Sequence, residues 1–216
     1  RVAHLPGDAT IMVRYQDQAS VYRGTIPIGA DVADLPTSRN FIDKHVFAKL
    51  ERLGMPPSTP CNDSTFVRRT TLDIAGRLPT VEETTAFRES TDPDKRDKLI
   101  DELLMSTDYA DFFASKWSMI LRNRRARDTY RRGTFAFHDW IRQSLNENLP
   151  YDEFVRGIVT ASGEMGQNPP VSWYREVTSR NERMEDITQL FLGVRIQCAQ
   201  CHHHPYEKWN QNDYFG

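Results

Sequence analysis

The chain has 216 residues, a net charge of −2 and 27% charged residues. This length is sufficient for a hydrophobic core, and the charge predicts no general attraction to nucleic acid or to an anionic membrane. Three cysteines, two of them three positions apart, exclude a disulfide framework of the kind that stabilises small secreted proteins. No stretch approaches the roughly 20 apolar residues that a transmembrane helix needs, so we expect no membrane span. We interpret the chain as a piece of a longer protein, so the absence of a signal peptide carries no information on its compartment.

The N-terminal part predicts a β hairpin. Two β-rich runs, Thr10 to Tyr15 and Ala19 to Ile28, flank a polar turn at residues 16–18. Because an isolated hairpin is marginally stable in water, it needs a partner, either the helical body or upstream strands. Residues 31–38 (DVADLPTS) predict a linker. We therefore divide the chain into residues 1–36 and a helical domain over residues 37–216.

From Asn40 onward the apolar residues follow a helical period. Asn40 is the expected N-cap of a first helix, with Ile42, Val46, Leu50 and Leu53 on one face and Gly54 at its end. Asp63 is expected to cap a second helix that ends near Gly76, Thr80 and Glu83 form a capping box for a third, and Pro93 fits the first turn of a fourth. Later segments (YADFFASKWSMIL, TFAFHDWIRQSL, YDEFVRGIV) extend the pattern. The fold class is mainly α, a bundle of about seven helices with the N-terminal hairpin.

The last predicted helix carries the most informative motif. In MEDITQLFLGVRIQC, Ile187, Phe191 and Val194 continue one apolar stripe to Cys198. The stripe predicts a single helix that places Cys198 at the end of its core-facing side. Pro205 is expected to end the helix just beyond the motif.

Cys198, Cys201 and His202 match the Cys-x-x-Cys-His pattern of covalent haem attachment. Two thiols three positions apart can each add to a vinyl group of one porphyrin, and the adjacent imidazole then becomes the proximal iron ligand. The pattern predicts one haem c, bound through two thioethers. Two alternatives are a zinc site that also uses neighbouring histidines, and a redox-active or structural thiol pair. For zinc, the other ligands would have to come from distant positions, namely Cys61, His4, His45 and His138.

The residue opposite His202 decides what a haem could do, because a closed iron favours electron transfer and an open one admits peroxide or a diatomic gas. Met165, in the glycine-flanked loop SGEMGQNPP, and His138, beside Asp139, are the leading candidates for the distal ligand. His138 also reads as an ordinary half-buried helix histidine. The remaining candidates are Met105, Met119, Met184, His45, His203 and His204. Met105 and Met119 lie on apolar stripes and are expected to fill the core.

Six arginines crowd into the segment RNRRARDTYRR: Arg122, Arg124, Arg125, Arg127, Arg131 and Arg132. Three interpretations compete: a solvated face, a docking patch for an acidic redox partner, and a clamp on haem propionates. Binding to nucleic acid is not expected, because no overall basic footprint or recognition motif accompanies the patch.

Several segments, in order, resemble a known family: FIDKHVFAKLERLGMPPS, FVRRTTLDIAGRLPTVEETTAF, RDKLIDELLMSTDYADFFASKWS, NLPYDEFVRGIV and QLFLGVRIQCAQCHHHPYEKWNQNDYFG. They resemble a domain of unknown function from planctomycete cytochrome c proteins, which is abundant in large extracytoplasmic multidomain proteins. GDATIMVRYQDQASVYRGTIPIG resembles the end of the bacterial immunoglobulin-like domain that often precedes it, so the hairpin would be the remnant of a sandwich. The family's usual motif has an acidic residue where this chain has His203.

The resemblance implies a periplasmic or otherwise extracytoplasmic c-type cytochrome module. Its expected activity is one-electron transfer with a redox partner protein or a fused domain, inside a larger multidomain protein or complex. A peroxidase-like or gas-binding haem site and a zinc-binding structural module are the alternatives. The chain is thus expected to be an electron carrier rather than a catalyst.

Overall fold

A computed structural model describes residues 5–15, 18–125, 128–204 and 209–216. The chain is mainly helical, with a two-stranded antiparallel hairpin near its N-terminus, which confirms the fold class. It divides into two compact units: the described residues of Arg1–Pro60 and Cys201–Asn210 form one, and those of Cys61–Gln200 and Gln211–Gly216 form the other. Parts of four sequence predictions lie outside the described residues: the hairpin turn, Pro205, His4 and Arg127.

The hairpin pairs β1 (Gly7–Tyr15) with β2 (Gln18–Ile26), from Gly7 opposite Ile26 to Tyr15 opposite Gln18. These are the only strands in the part of the chain that the structure describes. Apolar side chains on both strands are exposed, among them Ile11, Val13, Val21 and Tyr22. That the hairpin is the remnant of a sandwich stays a prediction.

The first helix, α1 (Phe41–Leu53), has the ends that the sequence predicts. The Asn40 side-chain oxygen accepts hydrogen bonds from the backbone N–H groups of Ile42 and Asp43, and Gly54 ends the helix at a φ of 62°. The helix buries no residue, and Ile42 and Val46 of its apolar face are exposed. This unit therefore gains little from apolar burial by α1.

The chain after β2 is tied to the end of α1 by backbone hydrogen bonds. The N–H of Ile28 donates to the carbonyl of Leu53 (2.6 Å), and the N–H of Ala30 donates to that of Gly54 (3.1 Å). The Asp8 carboxylate pairs with Lys49 (2.5 Å) on α1, and this ammonium group, followed by the Thr25 hydroxyl, lowers the Asp8 pKa. Polar and backbone contacts thus join hairpin and helix.

The second unit opens with α2 (Asp63–Ala75), α3 (Val81–Glu89) and α4 (Lys95–Leu104). The capping box of Thr80 and Glu83 is confirmed. Asp63 was wrongly predicted as the cap of α2: Asn62 accepts the N–H of Thr65, which leaves the Asp63 carboxylate to pair with α4. Pro93 precedes α4 and is not in its first turn.

The core of this unit lies among α5 (Thr107–Ile120), α6 (Arg131–Asn146), α7 (Tyr151–Val159) and α8 (Arg180–Phe191). A 3-10 helix, Pro169–Arg175, packs against α6 and α7. With α9 (Gln211–Phe215), the described residues contain nine α-helices, more than the sequence predicted. The buried cluster comprises Ala114, Leu121, Phe137, Ile141, Phe154, Ile158, Trp173, Val177 and Phe191.

Candidate functional site

The helix that precedes the motif is shorter than predicted. α8 begins with a capping box of Ser179 and Glu182 and ends at Phe191. Gly193 takes a φ of 69°, and the N–H of Val194 folds back to donate to the carbonyl of Thr188 (3.0 Å). A left-handed residue ends an α-helix, so the predicted continuous helix to Cys198 is wrong.

Cys198 lies instead in a short 3-10 helix, Ile196–Gln200. Ile196 and Ala199 are buried, and residues three apart lie above one another in a 3-10 helix, so these two form its inner face. Cys198 lies off that face and is an exposed free thiol. The prediction that Cys198 faces the core is therefore wrong, because the helical period changes before the motif.

Cys201 and His202 follow in a turn, and both are exposed. Cys201 is a free thiol. The boundary between the two compact units falls just before it, so Cys198 belongs to the helical unit and Cys201 and His202 to the other. All three predicted attachment residues are thus on the surface of the unit to which they belong.

The His202 ring has a defined hydrogen bond: its Nδ1 atom lies 2.7 Å from the backbone carbonyl oxygen of His203. A carbonyl oxygen can only accept, so Nδ1 carries a proton, and in the neutral ring Nε2 keeps an unshared electron pair. Histidines that bind metals usually donate their second ring N–H to a carbonyl or carboxylate in this way. The arrangement leaves Nε2 of His202 available as a ligand atom.

The chain around the motif is anchored on both sides within the helical unit. Before the motif, the side-chain amide of Gln197 donates to Glu185 on α8 (3.3 Å). After it, the side-chain amide of Gln211 donates to the carbonyl of Gln200 (3.1 Å), and the Tyr214 hydroxyl donates to Glu185 (2.8 Å). Sequence reasoning missed Glu185, because its partners stand 12 and 29 positions away along the chain.

The two leading distal candidates lie in the helical unit. Met165 is half-buried, and its sulfur packs against Gly133 of α6, where a Cβ atom would come within 2.9 Å of it. His138 is half-buried on α6, with Nδ1 3.8 Å from the carboxylate of Asp139. The role of either residue as a ligand stays a prediction.

Met105 and Met119 do not fill the core, so that expectation is wrong. Their side chains are 78% and 73% exposed. Both stand at the C-terminal ends of their helices, α4 and α5, and an apolar period does not by itself bury the end of a helix. Of the other candidates, His45 and His203 are exposed, and His204 and Met184 are half-buried.

Three of the six arginines in the segment pair with acidic side chains of this chain. Arg122 pairs with Asp186 of α8, Arg124 with Glu176 (2.9 Å), and Arg125 with Asp128. Arg131 and Arg132 are exposed, with the Arg131 guanidinium 5.9 Å from the centroid of the Phe135 ring. These pairings favour the interpretation as a solvated, ion-paired face.

Two cavities of the helical unit lie away from the motif. One, of about 450 Å³, is lined by Val67, Phe87, Leu103 and Lys98, among others. The other, of about 290 Å³, is lined mainly by aromatic rings, including those of Tyr109, Phe113, Trp117, Tyr151 and Phe154. Neither is lined by Cys198, Cys201 or His202.

Within the described ranges, no three His, Cys, Asp or Glu side chains are grouped so that they could hold one metal ion. The Cys61 thiol is free and half-buried, and its backbone carbonyl accepts a hydrogen bond from Arg96 (2.8 Å). In the part of the chain that the structure describes, no helix is both long and apolar enough to cross a bilayer.

Comparison with known proteins gives one match. The family PSCyt2, described as a protein of unknown function (DUF1549), matches residues 41–216. No curated protein and no solved structure matches the chain. The match covers α1 and the whole helical unit, together with the motif.

Proposed function

The chain belongs to the PSCyt2 family, and from this starting point we propose that it is a c-type cytochrome domain that transfers single electrons outside the cytoplasm. Cys198 and Cys201 would each form a thioether with one haem c, and His202 would be its proximal ligand. The haem, when bound, supplies an iron centre that alternates between the ferrous and ferric states.

The side chains of the motif fit such a group. Each thioether would form by addition of a thiol across a vinyl double bond, with sulfur bonding to one carbon and hydrogen to the other, and no group would leave. This addition needs accessible, unpaired thiols, and Cys198 and Cys201 are both free and exposed. The donor set of two thiols and one imidazole is the set that a haem c requires.

The observation that carries the proposal is the hydrogen bond from His202 Nδ1 to the carbonyl of His203 (2.7 Å). It fixes the tautomer in which Nε2 is the ligand atom and limits rotation of the ring. The chain's own backbone thus holds the proximal imidazole before any cofactor binds.

The proposal includes an extracytoplasmic compartment and an electron partner. A thioether-linked haem cannot be lost by dilution, which is an advantage in a periplasmic or other extracytoplasmic space. The electron partner would be a separate protein or a fused domain of a larger assembly. We assign no catalytic residue in this chain.

The test is to produce the whole chain in a compartment that attaches haem c, and to compare it with three single variants. Cys198→Ser and Cys201→Ser should each retain one thioether at most and shift the pyridine haemochrome band. Cys61→Ser removes the third cysteine and should leave haem stain and spectrum unchanged. A colourless wild-type protein with stoichiometric zinc would overturn the proposal in favour of a metal-binding module.

The same preparation tests electron transfer against chemistry at an open iron. A six-coordinate ferrous protein should not bind carbon monoxide readily, because a distal side chain occupies the sixth position. Rapid binding of carbon monoxide would refute electron transfer at a closed site and support the peroxidase-like or gas-binding alternative. If carbon monoxide does not bind readily, the same measurement on Met165→Ala and His138→Ala would show which of the two side chains, if either, is the distal ligand.

A further inference from the structure

The Glu185 carboxylate connects the two chain segments that flank the motif. Its Oε2 atom accepts a hydrogen bond from the side-chain amide of Gln197 (3.3 Å), one residue before Cys198. Its Oε1 atom accepts a hydrogen bond from the hydroxyl of Tyr214 (2.8 Å) on α9. One side chain thus holds the chain where it leaves the helical unit and where it returns.

Two further contacts make this connection firm. The side-chain amide of Gln211 donates to the carbonyl of Gln200 (3.1 Å), which joins the last residue of the 3-10 helix to the first residue of α9. On the other side of Glu185, the Asp186 carboxylate pairs with Arg122 at the end of α5. Arg122 lies where α5 ends, with a left-handed φ of 53°, and the N–H of the following Asn123 donates to the carbonyl of Ser118 (2.8 Å).

We propose that Glu185 is a positioning residue for Cys198, the thiol of the motif that lies in the helical unit. By fixing Gln197 it sets the orientation of the 3-10 helix that carries Cys198, and by fixing Tyr214 it sets where the chain returns. This inference rests on the haem function proposed above. In this role Glu185 does not contact a thiol. It acts through Gln197 and Tyr214, which belong to the two segments that it joins.

A carboxylate suits this role better than a neutral side chain. It offers two oxygen atoms that only accept hydrogen bonds, and each is matched here to a donor from a different segment. Hydrogen bonds to a charged acceptor are also stronger than those between neutral groups. An amide in its place keeps one accepting oxygen and presents an NH₂ group to the second donor.

The first measurement uses the haem-free chain and amide hydrogen exchange over residues 196–200. In Glu185→Ala, exchange in the 3-10 helix should accelerate by about tenfold or more, as the loss of a hydrogen bond to a charged group predicts. Glu185→Gln should give an intermediate effect. Gln189→Ala, an exposed position on the same helix, is the control and should exchange like the wild type.

The second measurement uses the haem-loaded chain and records Soret circular dichroism, which reports haem orientation, beside the melting temperature. Glu185→Gln should alter the Soret signal while it melts close to the wild type. A lower melting temperature with an unaltered Soret signal would mean that Glu185 only stabilises the fold, and would overturn the inference.

The two proposals fail in distinguishable ways. A wild-type chain that takes up no haem refutes the cytochrome function. Unchanged hydrogen exchange in Glu185→Ala refutes the positioning role, whether or not haem binds.

Discussion

The Nδ1 atom of His202 and the backbone carbonyl oxygen of His203 lie 2.7 Å apart, and this contact assigns the lone pair of the His202 ring to Nε2. The acceptor belongs to the main chain, so it does not depend on the side chain at position 203. The departure of His203 from the acidic residue expected there should therefore leave the orientation of the His202 ring unaffected.

The first prediction separates the two histidines. His202→Gly should abolish the native visible spectrum of the haem-loaded chain, and added imidazole should restore it, because a free ring can occupy the vacated position. His203→Ala retains the carbonyl and should keep the wild-type spectrum. A normal spectrum in His202→Gly without imidazole would show that another residue is the proximal ligand.

The second prediction concerns the packing of Met165 on α6. A Cβ atom at Gly133 would come within 2.9 Å of the Met165 sulfur and 3.0 Å of the Ser172 hydroxyl oxygen. Gly133→Ala should thus destabilise the fold by about 1–3 kcal/mol, the usual cost of overpacking. Met165→Ala should cancel part of this loss, which a double-mutant cycle in urea would measure.

Additive effects of Gly133→Ala and Met165→Ala would contradict this packing. The result also bears on haem ligation, because a bond from the Met165 sulfur to iron would limit how far that side chain can move away from a Cβ atom at position 133. If Met165 were the distal ligand, the haem-free and haem-loaded chains should show different coupling energies.

The third prediction is a loss of stability in acid that depends on Asp63. Hydrogen bonds from Lys95, and then Arg96, lower the pKa of the Asp63 carboxyl group. A folded-state pKa below the unfolded value of about 3.9 gives stability that is present above that value and is lost as the pH falls through the folded pKa. The free energy of unfolding should therefore decrease as the pH falls below about 4, and it should decrease less steeply in Asp63→Asn.

The matched control for Asp63 is Asp73→Asn, an exposed carboxylate on the same helix. It should keep the acid dependence of the wild type in urea titrations between about pH 2 and 5. Equal slopes in Asp63→Asn and the wild type would show that the pairs with Lys95 and Arg96 contribute nothing to stability.

The fourth prediction concerns the alkaline limit and Tyr174, whose hydroxyl donates to the carbonyl of Val159. Burial raises the pKa of this phenol, and the nearby guanidinium of Arg183 opposes the shift. Stability from a raised folded-state pKa is fully present below the unfolded value of about 10 and is lost as the pH rises through the folded pKa.

Tyr174→Phe should remove this alkaline loss and cost about 1 kcal/mol at neutral pH, the usual net value of one hydrogen bond. Tyr22→Phe, at an exposed position of the hairpin, should keep the wild-type profile. Circular dichroism melts between about pH 8 and 11 provide the comparison. An unchanged alkaline profile in Tyr174→Phe would contradict the assignment.

Helix ends in the first half of the chain could be predicted because their determinants are local. Asn40 and Thr80 each bond to N–H groups within three positions, and Gly54 ends its helix through its own backbone conformation. Such signals can be recognised in the sequence without knowledge of the tertiary structure. Asp63 was misassigned as a cap because its neighbour Asn62 offers the same chemistry.

The motif residues could be recognised in the sequence, but their structural setting could not be predicted. The apolar stripe through Ile187 and Val194 is compatible with one long helix, and only the left-handed conformation of Gly193 breaks it. The prediction of burial failed for a different reason at Met105 and Met119, where the helical period is right but both side chains are exposed at the ends of their helices. Contacts such as those of Glu185 require three segments to be brought together by folding.

The backbone hydrogen bonds that join Ile28 and Ala30 to the end of α1 have a consequence for protein engineering. The family match begins at residue 41, which invites truncation of the gene there. A protein shortened in that way would lose the donors to the carbonyls of Leu53 and Gly54, and Gly54 is buried. An expression boundary placed ahead of Ile28 retains both donors and is the better starting point for isolating the family domain.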